Sequence, residues 1–305
     1  MSRLYEALQR ADLDRKFAPG TVDQQLSDPV LNNIVEPSLV NNSSVLDNIP
    51  RHPWHPNPVS LPTLDDHGVG VEQFRRLRSR IYQLRDTEPL KTILVCSGMA
   101  GDGKSFVAAN LAMSLARNSD HQVLLIDADQ RRSSLHYLLG APNVPGLSEY
   151  LAGNTELDEI VQRDSNPKND EKNGPRGLSN LTFIPAGVCN NNSSEIVASR
   201  HFEDLVATLK PHFDWVIIDS PPVLAVTDAV DLARAADGVL LVARGAKTPY
   251  DVAQRTQAAF GGSRILGYVL NALKHVKGTG GDYYYYNYDR YDQLDSHHRK
   301  SAAKG

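Results

Sequence analysis

The stretch Gly98-Met99-Ala100-Gly101-Asp102-Gly103-Lys104-Ser105 follows the spacing G-x-x-x-x-G-K-[ST]. Glycines let a backbone turn tightly and aim successive N–H groups at one anion. A helix starting there adds partial positive charge, and Lys104 adds a full one. Ser105 can put its hydroxyl on the Mg²⁺ that accompanies a nucleotide. Phe106 follows in the first helical turn and closes the expected nucleotide-binding run. Three carboxylates, Asp127, Asp129 and Asp219, and the amide of Asn271 each end an apolar run further along. A helix cap explains one acidic residue at a strand end. Three of them at the edge that carries a phosphate loop point to Mg²⁺-assisted phosphoryl transfer.

The flanks supply the elements such groups need. Lys91–Cys96 is a short apolar, β-branched run, expected as a strand. Ser105–Ala116 has helical periodicity and many alanines. Strand, glycine loop and helix in that order are the setting of a phosphate site. Strands are further expected at 121–126, 181–185, 215–218, 238–243 and 265–271, with helices at 194–210, 228–236 and 250–260. Near-continuous apolar strands separated by helices predict an α/β fold of the P-loop NTPase kind. Its sheet is mostly parallel with helices on both faces, and its ligands sit at the carboxyl ends of the strands.

The chain has 305 residues and a formal net charge of -4, so no general basic field argues for a nucleic-acid partner. Its two cysteines, Cys96 and Cys189, make no disulfide framework. No apolar run is long enough to cross a membrane, and the N-terminus lacks the apolar core of a signal peptide, so a cytoplasmic protein is expected. Residues 1–16 include a candidate short docking helix. Residues 17–66 are rich in Pro, Asn and Ser and are expected to be a disordered linker with no room for a core. His52 and His55 flank Trp54 there without further ligands at a metal-binding spacing. Residues 67–273 form the expected P-loop domain, with a mobile polar insertion near 163–177, and 274–305 a flexible tail.

At the start of that domain Val71, Phe74, Leu77, Ile81 and Leu84 give a helix one apolar face. Glu72, Arg75 and Arg78 share another face. They fit either a solvated ion-pair row or a subunit contact. In the tail, Tyr283, Tyr284, Tyr285, Tyr286, Tyr288 and Tyr291 stand among Asp, Asn, Arg and His after a run of glycines. No alternation separates a buried face from a wet one, so a flexible segment presenting hydroxyls is expected.

Taken together, these motifs resemble the bacterial tyrosine kinase family associated with capsule and exopolysaccharide synthesis. The glycine loop matches its Walker A, 125–131 followed by His136 its Walker A-prime, and Ile218-Asp219-Ser220-Pro221-Pro222 its Walker B. Glu72-x-x-Arg75-x-x-Arg78 matches its oligomerisation motif, and the tyrosine cluster closes the chain. The resemblance implies an ATP- and Mg²⁺-dependent autokinase in which Lys104 holds the β- and γ-phosphates. Ser105, Asp129 and Asp219 would ligate the metal, and Asp127 would be the base for an incoming phenol. The listed tyrosines would be phosphoacceptors on a neighbouring subunit of a ring-like homo-oligomer. A membrane-bound polysaccharide co-polymerase as recruiter and activator, and a tyrosine phosphatase, would be its partners at the inner face of the membrane. The departure lies after the third expected strand, where the family's Pro-Asn-Pro is replaced by Pro185-Ala186-Gly187. The rival is a partitioning-type ATPase switch such as ParA or MinD, whose second lysine is replaced here by Met99.

Overall fold

The fold is read from a computed structural model that describes residues 48–165, 178–188 and 200–273. Its strands are β1 (Arg51–His52), β2 (Thr92–Ser97), β3 (Val123–Asp127), β4 (Gln162–Asp164), β5 (Leu181–Ile184), β6 (Trp215–Asp219), β7 (Gly238–Arg244) and β8 (Ile265–Asn271). Among them run helices α1 (Val69–Thr87), α2 (Lys104–Ala116), α3 (Leu135–Leu139), α4 (Leu147–Leu151), α5 (Leu157–Ile160), α6 (Arg200–Leu209), α7 (Asp228–Leu232) and α8 (Tyr250–Ala259). The strands form one sheet in the order β1-β4-β5-β3-β6-β2-β7-β8. All neighbours are parallel except β4 and β5. The sheet lies within Met1–Asn271; a second unit, Ala272–Gly305, falls almost wholly outside the described residues.

Alternation along the strands divides the core between the two faces of the sheet. Ile93, Val95, Leu125 and Ile217 join α2 in one cluster, while Leu94, Cys96, Leu124 and Ile218 join α6 in the other. Helix α2 is buried almost all round. Its alanines allow that, because small side chains let strands and neighbouring helices approach its backbone closely. The helix that begins at the glycine loop is therefore held rigidly.

One expectation is corrected. The stretch expected as a coreless linker through residue 66 is packed into the domain from residue 48. Trp54 is fully buried and meets Phe183 edge-on with ring centroids 6.1 Å apart. Its Nε1 donates to Gln162 Oε1 at 3.1 Å, and its backbone N–H to Asp164 Oδ1 at 3.0 Å. β1 adds to β4 at the sheet edge. Further on, Thr63 Oγ1 donates to Asn110 Oδ1 at 2.8 Å, and Asn110 Nδ2 donates to Ser60 O at 3.1 Å. Arg117 donates to the carbonyls of Thr63 and Asp65 and pairs with Asp66. The prolines do exclude regular helix, but an extended backbone suits a sheet edge, and Trp54, Leu61 and Leu64 bring enough apolar surface to anchor it. The result is a strap from the sheet edge to α2.

Other readings fall differently. The short helix at 3–16, residues 17–47, the insertion from 166 to 177 and the tail from 274 lie outside the described residues. Arg163 and Asp164, expected to open that insertion, belong instead to β4 and are buried. In α6 the expected inward residues Phe202, Leu205 and Leu209 are buried.

Candidate active site

The glycine loop connects β2 to α2 and is fixed by bonds to its own backbone and to two other strand ends. Gly101 and Gly103 have φ of 85° and 96°, a left-handed backbone that a side chain would strain. A Cβ on Gly103 would strike the Asn271 amide, and one on Gly98 would strike Thr256. Asp102 is 2% exposed; its carboxylate accepts the Met99 N–H at 3.2 Å and the Thr248 hydroxyl at 2.7 Å. Asn271 Nδ2 donates to the Asp102 carbonyl at 2.9 Å, and Arg244 donates to the Gly101 carbonyl at 2.9 Å. These contacts turn loop carbonyls away and leave the opposite, N–H side for an anion.

Beneath the loop lies a buried charge cluster. Asp127 and Asp219 end β3 and β6 and are register partners across that parallel pair. Lys104 is 8% exposed and its Nζ lies 2.7 Å from Asp129 Oδ2. Burial alone would lower its pKa, but Asp219 and Asp129 outweigh burial and raise it, so it stays charged. Burial pushes Asp219 up to about 7, against the pull of Lys104 and the Ser105 hydroxyl. Burial and then the Asp219 charge hold Asp127 well above the usual carboxylate range. Asp127 accepts the backbone N–H groups of Asp129, Ser134 and Leu135, each at 3.2 Å. It therefore organises the loop between β3 and α3.

Mg²⁺ with a triphosphate fits these groups. Both oxygens of the buried Asp219 carboxylate lack a partner in good hydrogen-bond geometry, a state that calls for a cation or a proton. Among the described residues no three His, Cys, Asp or Glu side chains converge as a self-sufficient metal site does. Mg²⁺ is held in the complementary way, by one or two protein groups with substrate phosphates and water. Asp219, with the Ser105 hydroxyl and the Asp129 carboxylate nearby, is a group that would hold it.

Of the other expected residues, Phe106 turns its ring to Phe74, with centroids 5.7 Å apart. Met99 is 38% exposed at the loop. Ala100 is exposed beside it. Glu72 pairs with Arg75, Arg75 also donates to the Asp66 carbonyl at 2.7 Å, and Arg78 donates to the Ser114 carbonyl at 2.6 Å. That motif fastens α1 to the strap and to α2 within one chain. The six tyrosines lie outside the described residues. Arg244, Thr248 and Thr256 were missed. Arg244 ends β7 and Thr248 lies just past it, at the same edge that singled out Asn271, and only their unpatterned setting hid them. Cys96, buried with its thiol pushed up to about 11, is packing material and no nucleophile.

Comparison with known proteins agrees with this geometry. The AAA domain family matches residues 90–249. The chain is 34% identical over 224 residues to the tyrosine-protein kinase wzc of Salmonella typhimurium, covering 72% of this chain and 29% of that protein. It thus spans under a third of that relative's length. It is also 34% identical over 215 residues to the tyrosine-protein kinase CpsD of Streptococcus agalactiae, covering 70% of this chain and 87% of that one. The crystal structure of the chimerical protein CapA2B2 superposes with a TM-score of 0.64 at 28% identity, over 77% of this chain and all of that one. A glycine loop clamped by Asn271 and Thr248, a buried Lys104–Asp129–Asp219 cluster and these relatives lead to one conclusion: the chain belongs to the bacterial tyrosine-protein kinase family.

Proposed function

We propose that this chain transfers the γ-phosphoryl group of ATP to tyrosines, its own kind among them, in the service of polysaccharide export. The observation that carries the reading is the Lys104–Asp129 pair beside the unpartnered Asp219 under a phosphate loop. Lys104 exchanges Asp129 for the β- and γ-phosphates. Mg²⁺, held by Ser105, Asp129 and Asp219 in part through water, supplies charge neutralisation on the phosphates. The phenolic oxygen bonds to the γ-phosphorus as the bond to the β,γ-bridging oxygen breaks, releasing ADP. Asp127 is the proposed acceptor of the phenolic proton. Its burial raises its proton affinity, and Ser134 and Leu135 must yield before a phenol reaches it.

The acceptors proposed are Tyr283–Tyr286, Tyr288 and Tyr291 of a second copy in a homo-oligomer, assembled through Glu72, Arg75 and Arg78. No helix among the described residues is long and apolar enough to cross a membrane, and a membrane-bound activator and a tyrosine phosphatase are the proposed partners. The test is to mix a Lys104→Met chain with an intact tail and a chain whose six tail tyrosines are phenylalanine. Phosphotyrosine on the Lys104→Met partner is the expected result; its absence, with ATP still hydrolysed, would leave an ATPase switch.

A further inference from the structure

Two pairs of cations flank the glycine loop, one following Asp129 and the other including the loop contact Arg244. Arg131 and Arg132 follow Asp129 on one side. Both are exposed, and the backbone N–H of Arg132 donates to Asp129 Oδ1 at 3.1 Å. Arg131 reaches only a loose pairing with Asp228 at 3.8 Å, its side chain 51% exposed. On the other side Arg244 touches the loop through Gly101, and Lys247, three residues on, is exposed. Arg132 and Lys247 make no ion pair among the described residues. β3 and β7 are separated by β6 and β2, so the two pairs follow strands about 14 Å apart by ordinary strand spacing.

The interior these residues surround is strongly acidic. Asp127, Asp129 and Asp219 face one lysine, and a triphosphate adds several negative charges. Asp231 and Asp251 also lie along the elements that follow. An incoming acidic peptide would be repelled from such a mouth unless rim cations offset the field. The chain's own tyrosine segment is such a peptide. Within 282–295 it carries Asp282, Asp289, Asp292 and Asp295 against the single Arg290. Three of its tyrosines have an aspartate next to them: Tyr283 follows Asp282, Tyr288 precedes Asp289, and Tyr291 precedes Asp292. Tyr284, Tyr285 and Tyr286 do not.

Resting on the kinase reading, we infer that Arg131 and Arg132, with Arg244 and Lys247 opposite, form a substrate-selecting rim that takes tyrosines flanked by aspartate. A neighbouring residue in an extended peptide lies about 3.3 Å along the chain and points to the other face. An adjacent aspartate can therefore engage the rim while the phenol points into the site. Tyr283, Tyr288 and Tyr291 are modified before the three tyrosines between them.

The test uses the full chain with Mg²⁺-ATP and a biotinylated peptide of residues 280–296, against the same peptide with all four aspartates changed to asparagine. A KM about tenfold higher for the asparagine peptide at similar kcat is expected, with the KM for ATP unchanged. A chain carrying Arg131→Glu and Arg132→Glu should reverse the order and prefer a peptide whose aspartates are lysine. Its melting curve reports folding, and the peptide series stands even if that variant fails to fold. Equal KM values for the two peptides on the native chain overturn the rim. No phosphorylation of any peptide, nor of the chain itself, overturns the kinase reading and the rim with it.

Discussion

Lys104 Nζ lies 2.7 Å from Asp129 Oδ2 in a pocket where both residues are almost fully buried. The lysine is thus kept charged, and under the proposed function a phosphate would displace Asp129 and free it for a cation. A charge so deep without its partner costs several kcal/mol, which is why the pair persists without ligand. Lys104→Met should cut phosphotyrosine formation by at least about 10³-fold, as for removal of a principal charge-stabilising group. Radiolabelled ATP incorporation measures it. Native-like incorporation by that variant would remove Lys104 from the site.

The clamp on the glycine loop makes a separate claim. Thr248→Val removes the hydroxyl that donates to the buried Asp102 carboxylate. An unsatisfied buried acceptor costs about 1–3 kcal/mol, so nucleotide affinity should fall about tenfold or more as the loop loosens. Titration with a fluorescent ATP analogue reads this. Unchanged affinity would show that Asp102 holds the loop without Thr248.

Trp54 distinguishes a strap from a linker. Trp54→Ala deletes a fully buried ring and its Nε1 hydrogen bond to Gln162. A loss of about 3–5 kcal/mol is expected in urea unfolding. A loss below about 0.5 kcal/mol, the ordinary cost of a surface change, would return the segment to linker status.

Much of this was legible from residue types. The glycine loop, the aspartates at strand ends and Asn271 are patterns of fixed spacing whose chemistry follows from their kind, and the parallel sheet follows from apolar runs between helices. Asp127 was legible as an acid at the site, but its three amide partners come from a loop whose path no spacing reveals. The strap escaped because composition reports average burial. Five closely spaced prolines say what the backbone cannot be, while one tryptophan and one asparagine on a distant helix decide where it goes. Arg75 and Arg78 read as an outward face by period alone, yet their long side chains fold back to Asp66 and Ser114.

Asp237, just before β7, ties the start of β2 to Lys210 and sets a pH response. Burial would raise its pKa, but the Lys210 hydrogen bond and the N–H groups of Thr92 and Lys91 outweigh that and lower it. A carboxyl lowered on folding stabilises above its unfolded pKa, and that stability disappears as pH falls through the folded value. Asp237→Asn should therefore melt about 2–4 °C below the native chain at pH 7, with the difference shrinking as pH falls below about 4. Melting curves across that range check it. A difference that widens on acidification would reverse the assigned sign.

Phosphorylation should also act on assembly. Each phosphotyrosine adds about -1.5 to -2 charge, so six bring about -9 to -12 per chain. Crowded within a Debye length of about 8 Å, such charges repel neighbouring copies. Light scattering should find the fully phosphorylated chain smaller than the dephosphorylated one. Equal sizes would separate modification from assembly.

The most direct measurement is phosphotyrosine mapping by mass spectrometry after the purified chain is incubated with Mg²⁺-ATP. Phosphate on Tyr283–Tyr291 of the native chain, none on Lys104→Met and none without Mg²⁺ is the expected result. Steady ATP hydrolysis with no phosphotyrosine anywhere, even beside a membrane-bound activator, would contradict a tyrosine kinase built on this glycine loop.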